Sequence, residues 1–197
     1  MAHPEYSTYK AQPIRAVYHE LFDEAVARYN VKQTRQDRCI GNYYEKIRSG
    51  KQEKPFHELI LQIGNKDDCG AETPEGGKAA QMLNEYMQGF QQRNPTLRVF
   101  SAHLHMDEAT PHLHIDSIPY TTGSKRGLET RVSLKQALAA LGFKGGTRGM
   151  TEWNQWVNAE KRQLAAIMQQ RNIGWLNYVQ YIKNNTFQAF TKNNFYR

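Results

Sequence analysis

The stretch Ser101-Ala-His-Leu-His-Met-Asp-Glu-Ala-Thr-Pro-His-Leu-His-Ile-Asp116 decides how the chain is read, because four of its seven histidines fall there within twelve residues. Strand side chains alternate faces, so His103 and His105 share one face of a first strand, and His112, His114 and Asp116 share one face of a second. With Met106 to Pro111 as the turn, His105 lies opposite His112 and the imidazoles gather on one side of a hairpin. Glu108 sits in that turn, where its carboxylate can lean inward. A single histidine on a strand is usually a satisfied polar residue. Three or more on one face beside an acid are poorly explained as packing, since charged imidazoles repel and every ring nitrogen needs a partner. Imidazole is also the commonest side-chain metal ligand. The pattern points to a metal site.

Working outward, Phe56 to Ile63 is apolar and bounded by Pro55 and Gly64, which predicts a buried strand. Thr73 is placed to cap a helix opened by Pro74 and running to about Gln92, with Ala79, Met82, Leu83, Tyr86, Met87 and Phe90 as its apolar face. Earlier, Pro13 opens an amphipathic helix in which Ile14, Val17, Tyr18, Leu21, Phe22, Ala25, Val26 and Tyr29 recur at helical intervals. A second helical run is expected from about Arg35 to Ser49, stopped by Gly50 and containing Cys39. After the hairpin, Ser133 is placed to cap a short helix through Leu141. Thr151 does the same for a long one reaching about Arg171, with Gly174 as its terminator. Strands and helices in this order give an α+β domain, with helices segregated to one face of an antiparallel sheet and the histidine hairpin at its centre.

The chain has 197 residues, a net charge of +7 and only two cysteines, with a pI near 9.4. One core is well within that length. The basic balance favours an anionic partner. Cys39 and Cys69 are too few for a disulfide framework or a zinc ribbon and are expected to be free thiols. No apolar run is long enough to span a bilayer, and no charged start precedes an apolar core, so a cytoplasmic protein is expected. Two glycine-containing basic segments, Thr121 to Gly127 and Gly142 to Gly149, are candidate phosphate contacts, and Lys125, Arg126, Arg131, Lys144 and Arg148 are the residues assigned to DNA binding. The second segment lacks the strand context and the ending of a P-loop.

The string His105-Met-Asp-Glu108-Ala-Thr-Pro111-His112-Leu-His114 resembles the third motif of the Mob/Pre relaxases, the MobV-class plasmid mobilisation or recombination enzymes. These belong to the HUH endonucleases, named for two histidines around a hydrophobic residue, here His112-Leu113-His114. The similarity runs from about Pro13 to Trp175, through Glu58 to Gly64, Arg93-Asn-Pro95, Lys125 to Arg131 and Thr151 to Trp156. It implies an HUH fold and a metal-dependent relaxase that nicks single-stranded or hairpin plasmid DNA at an origin of transfer, with manganese or magnesium in function. Motif matching carries the ligand roles to His105, His112 and His114. Glu108 is the residue given a catalytic part, and Glu108 and Asp107 are candidates to orient a ligating imidazole.

Two departures from the family pattern shape the expectations. Relatives carry a His-Asn-x-Arg-like motif ahead of the region matching Pro13, which supplies a histidine nucleophile and a strand. Here His3 and His19 lie in other contexts, so the chain reads as a truncated relaxase or its DNA-binding remnant, with one sheet edge left open to self-association. Tyr43, Tyr44, Tyr178 and Tyr181 are the hydroxyls to inspect as substitutes. After Trp175 the similarity ends, so residues 1–175 are taken as the relaxase-like domain and 176–197 as a divergent, flexible tail. Ligand softness alone leaves zinc, nickel, copper, iron and manganese open.

Overall fold

The computed structural model describes residues 6–171, 179–183 and 186–188. It has β1 (Tyr6–Ala11), α1 (Ile14–Val31), a single 3-10 turn at Gln36–Arg38, α2 (Tyr43–Ser49), β2 (His57–Ile63), α3 (Pro74–Arg93), β3 (Leu97–His105) and β4 (His112–Thr121). These are followed by β5 (Arg131–Val132), α4 (Leu134–Ala140), α5 (Glu152–Gln170), β6 (Val179–Lys183) and β7 (Thr186–Gln188). The strands pair in the order β1-β3-β4-β2-β6-β7, with β5 on the end of β4. All pairings are antiparallel. The class is the α+β arrangement expected, and the histidine hairpin occupies the middle of the sheet.

Alternation along the strands separates two apolar clusters. Leu59, Leu61 and Ile63 of β2, Leu97, Val99, Ala102 and Leu104 of β3, and Leu113 and Ile115 of β4 pack under α3, α4 and α5. The α1–α2 pair instead covers Phe100 and Ile118, which belong to the opposite face at the end of the hairpin away from the turn. Helices therefore layer one face fully and the distal part of the other, and among the described residues no helix covers the histidine half of that second face. A bulge between Val99 and Ser101 moves the core-facing positions of β3 from 97 and 99 to 102 and 104.

Several local expectations are corrected. The run from Arg35 to Ser49 is not one helix. Asn30 accepts from Ile40 N at 2.8 Å and donates to Ile40 O at 2.9 Å, pinning an extended segment. Asn42 then caps α2 by accepting from Glu45 N, and Cys39 ends the 3-10 turn rather than lying in a helix. Ser133 precedes α4 but makes no side-chain cap. The segment before Pro13 is a strand: β1 covers the edge of β3, so that edge is not open, and β1 is the outer strand there among the described residues. Strands β6 and β7 lie within the presumed tail and extend the sheet from β2. The Gly174 stop falls outside the described residues.

Helices α3 and α5 are joined by a buried polar network. Glu160, 5 % exposed, accepts from Tyr86 Oη at 2.5 Å, Arg93 Nη2 at 3.1 Å and Asn94 Nδ2 at 3.1 Å. Asn94 Oδ1 in turn accepts from Trp156 Nε1 at 2.7 Å. Burial and the neighbouring Glu160 carboxylate push the Tyr86 phenol well above its ordinary value, so it remains a donor. Glu160→Ala leaves a hydroxyl, an amide and a guanidinium without their shared acceptor, and is expected to destabilise the fold by about 3–5 kcal/mol. Urea unfolding should show this as a lower midpoint.

Candidate metal centre

Register alone brings the imidazoles together. His105 pairs with His112 and His103 with His114 across β3 and β4, and the rings of His105, His112 and His114 stand 5.0 Å from one another, centroid to centroid. The turn returns Glu108 to this group. Its Oε1 lies 3.8 Å from His112 Nε2, and ligand atoms of His105, Glu108 and His112 fall within 4.8 Å of each other. Glu108 thus stands with the ligand atoms rather than behind them. Three imidazole nitrogens and a carboxylate suit a divalent cation.

Each of the three rings has an oxygen beside Nδ1. Thr110 O lies 2.9 Å from His112 Nδ1, Glu58 Oε1 is 2.8 Å from His114 Nδ1, and Asp107 Oδ1 is 3.4 Å from His105 Nδ1. With Nδ1 of His112 and His114 hydrogen-bonded, Nε2 is the nitrogen those two imidazoles can offer to a metal. Asp107 stands beside His105 Nδ1 at ion-pair distance. Glu58 was not singled out from the sequence. It comes from β2, where the register sets Glu58 against Asp116 and Ile60 against His114. Burial and the facing Glu58 carboxylate hold the Asp116 carboxyl above its usual range. Burial and the neighbouring His105 and His114 push His103 down, toward its neutral form.

The turn carrying Glu108 is braced from outside the hairpin. Ala71 N donates to Ala109 O at 3.1 Å, tying the turn to the loop between β2 and α3. That loop begins at Gly64, whose φ of 72° is in the region glycine favours, with Asp68 Oδ1 and Cys69 Sγ only 2.7 Å from where a Cβ would stand. Both cysteines are free thiols. Burial raises the Cys69 thiol to about 11, which keeps it protonated and inert.

The proposed DNA contacts lie elsewhere. Arg131 pairs with Thr121 at the far end of β4, about 30 Å from His112 at a strand rise of ~3.3 Å per residue. Arg131 donates to Ser124 and Gln136 and so organises its own loop. Lys125 and Arg126 are exposed in that loop. Lys144 and Arg148 are exposed before α5, whose Trp153 packs 5.7 Å from His57 at the start of β2. None of the five is brought to the histidines. Tyr43 accepts from Val132 N and Tyr44 stacks under Arg15, both in the α1–α2 layer. Every tyrosine whose side chain is described belongs to one of the two apolar clusters. Tyr178 lies outside the described residues, and Tyr181 is placed by its register with Leu61 and Gln188.

A family model described as plasmid recombination enzyme, Mob_Pre, matches residues 5–163. No curated protein and no solved structure matches the chain. Among the described residues no helix is long and apolar enough to cross a membrane.

Glu58 supplies a test of the geometry. Removing the oxygen that orients His114 in Glu58→Ala should weaken manganese binding by roughly 10–100-fold, with the circular dichroism spectrum unchanged. Isothermal titration with MnCl2 reads the effect.

Proposed function

Because the chain belongs to the Mob_Pre family of plasmid recombination enzymes, we propose that it is a metal-dependent relaxase-type endonuclease acting on single-stranded plasmid DNA at an origin of transfer. The observation carrying this reading is the set of three oriented imidazoles and the Glu108 carboxylate on an open sheet face. His105, Glu108, His112 and His114 would hold the metal. When bound, the metal supplies Lewis acidity to a phosphate oxygen and offsets charge that grows there during cleavage. Manganese or magnesium fits a hard phosphate substrate, although zinc and nickel also suit the donors.

The protein's own contribution is positional. Thr110, Glu58 and Asp107 fix the rings, so the site need not reorganise as charge develops. An extended strand would lie along this face, which no helix covers among the described residues. Lys125, Arg126, Arg131, Lys144 and Arg148 would then serve as distant phosphate contacts rather than as parts of the reacting centre, and binding should weaken steeply with salt.

A second reading is a DNA-binding protein that uses the same metal without cutting. It is favoured by the confinement of the described tyrosine side chains to the apolar clusters, away from the histidine face. Both readings predict that His112→Ala with His114→Ala abolishes stoichiometric manganese, measured by elemental analysis. They separate on a denaturing gel. Manganese-loaded protein that nicks a single-stranded oligonucleotide carrying a plasmid origin, with the double variant inactive, supports the endonuclease. Metal-dependent binding with the strand left intact supports the second reading.

A further inference from the structure

The open face is electrically two-sided. On β2 and β4 it carries Glu58 and Asp116, paired in register, so a phosphate lying there would meet two carboxyl groups. On β3 and β1 it carries Ser101, His103 and Thr8, with His103 paired to His114 on one side and to Thr8 on the other. Thr8 is exposed, and its Oγ1 lies 3.3 Å from His103 Nδ1. When the threonine hydroxyl donates to Nδ1, the ring proton resides on Nε2 and the neutral imidazole becomes a donor. The His103 ring stands 6.4 Å from that of His105, and the His103–His114 pair lies two residue pairs farther from the turn than His105–His112.

We propose that a DNA strand held at the metal centre runs over β3 and β1, and that His103, positioned by Thr8, donates a hydrogen bond to the phosphate next to the one held there. The inference rests on the endonuclease reading and adds a direction of travel and a substrate contact. Repulsion from Glu58 and Asp116 disfavours a path over β4 and β2, because like charges a few ångströms apart raise the energy of the complex. A donor two residue pairs along β3 has no such penalty.

Short thymidine oligonucleotides separate this contact from the metal site. A dinucleotide has one phosphate and a trinucleotide has two, so their affinity ratio on manganese-loaded protein isolates the second contact. Phosphorus NMR, through broadening by the bound manganese, gives both constants. Wild type should favour the trinucleotide by roughly tenfold, the scale of one hydrogen bond to a charged group. His103→Ala should keep stoichiometric manganese and its dinucleotide affinity but lose that advantage. His103→Gln, which retains a donor, should recover part of it, and Thr8→Val should reduce it. An unchanged ratio in His103→Ala would overturn the proposal, as would loss of manganese from that variant, which would make His103 a ligand. Failure of wild type to bind either oligonucleotide would overturn the endonuclease reading and this inference together.

Discussion

The histidine face depends on the burial of the residues between the histidines. Leu104, Leu113 and Ile115 are 5 %, 0 % and 0 % exposed, and each contributes about 1.5–3 kcal/mol by leaving water. They alternate with His103, His105, His112, His114 and Asp116, so the packing that seats them under α3 and α5 also presents the imidazoles on the other side. Crowding four imidazoles on one surface is unfavourable in itself. The core on the reverse side offsets that cost, and the ligand geometry follows from ordinary hydrophobic packing.

The orientation of the rings comes from three different levels of structure. Asp107 belongs to the same turn, Thr110 acts through its main-chain carbonyl, and Glu58 arrives from a strand more than fifty residues earlier. The loop after β2 then ties the turn down through Ala71 and Ala109. Strand β2 therefore contributes twice, through a carboxylate at its start and through the brace that follows its end. This is the sort of support that holds reacting groups to within a fraction of an ångström.

The hairpin was legible because its register is local: a turn of fixed length sets which histidines oppose each other. Thr73 and Pro74 announced α3, and Thr151 announced α5, through cap chemistry that needs no tertiary information. Glu58 was hidden for the opposite reason. Its relation to His114 depends on a β2–β4 register that no connecting turn specifies. The run from Arg35 to Ser49 misled because the spacing of Ile40, Tyr43, Tyr44 and Ile47 suits a helix, whereas Asn30 clamps Ile40 in an extended stretch between the 3-10 turn and α2. Strand β1 has six residues and too little apolar alternation to declare itself; β3 gives it an edge to pair with.

The bulge between Val99 and Ser101 makes the length of β3 part of its chemical content. Strict alternation from Leu97 and Val99 would continue inward at 101, 103 and 105, carrying His103 and His105 into the apolar layer and turning Ala102 and Leu104 to solvent. One additional residue reverses that parity. The amino acid at 100 thus matters less for the histidine face than the fact that a residue is there. Substitutions at this point test side-chain packing, but insertions and deletions act as frameshifts of the sheet, able to erase the site without altering a single ligand. Sequences that share these histidines can therefore be compared by the count of residues between the last inward position before the bulge and the first one after it.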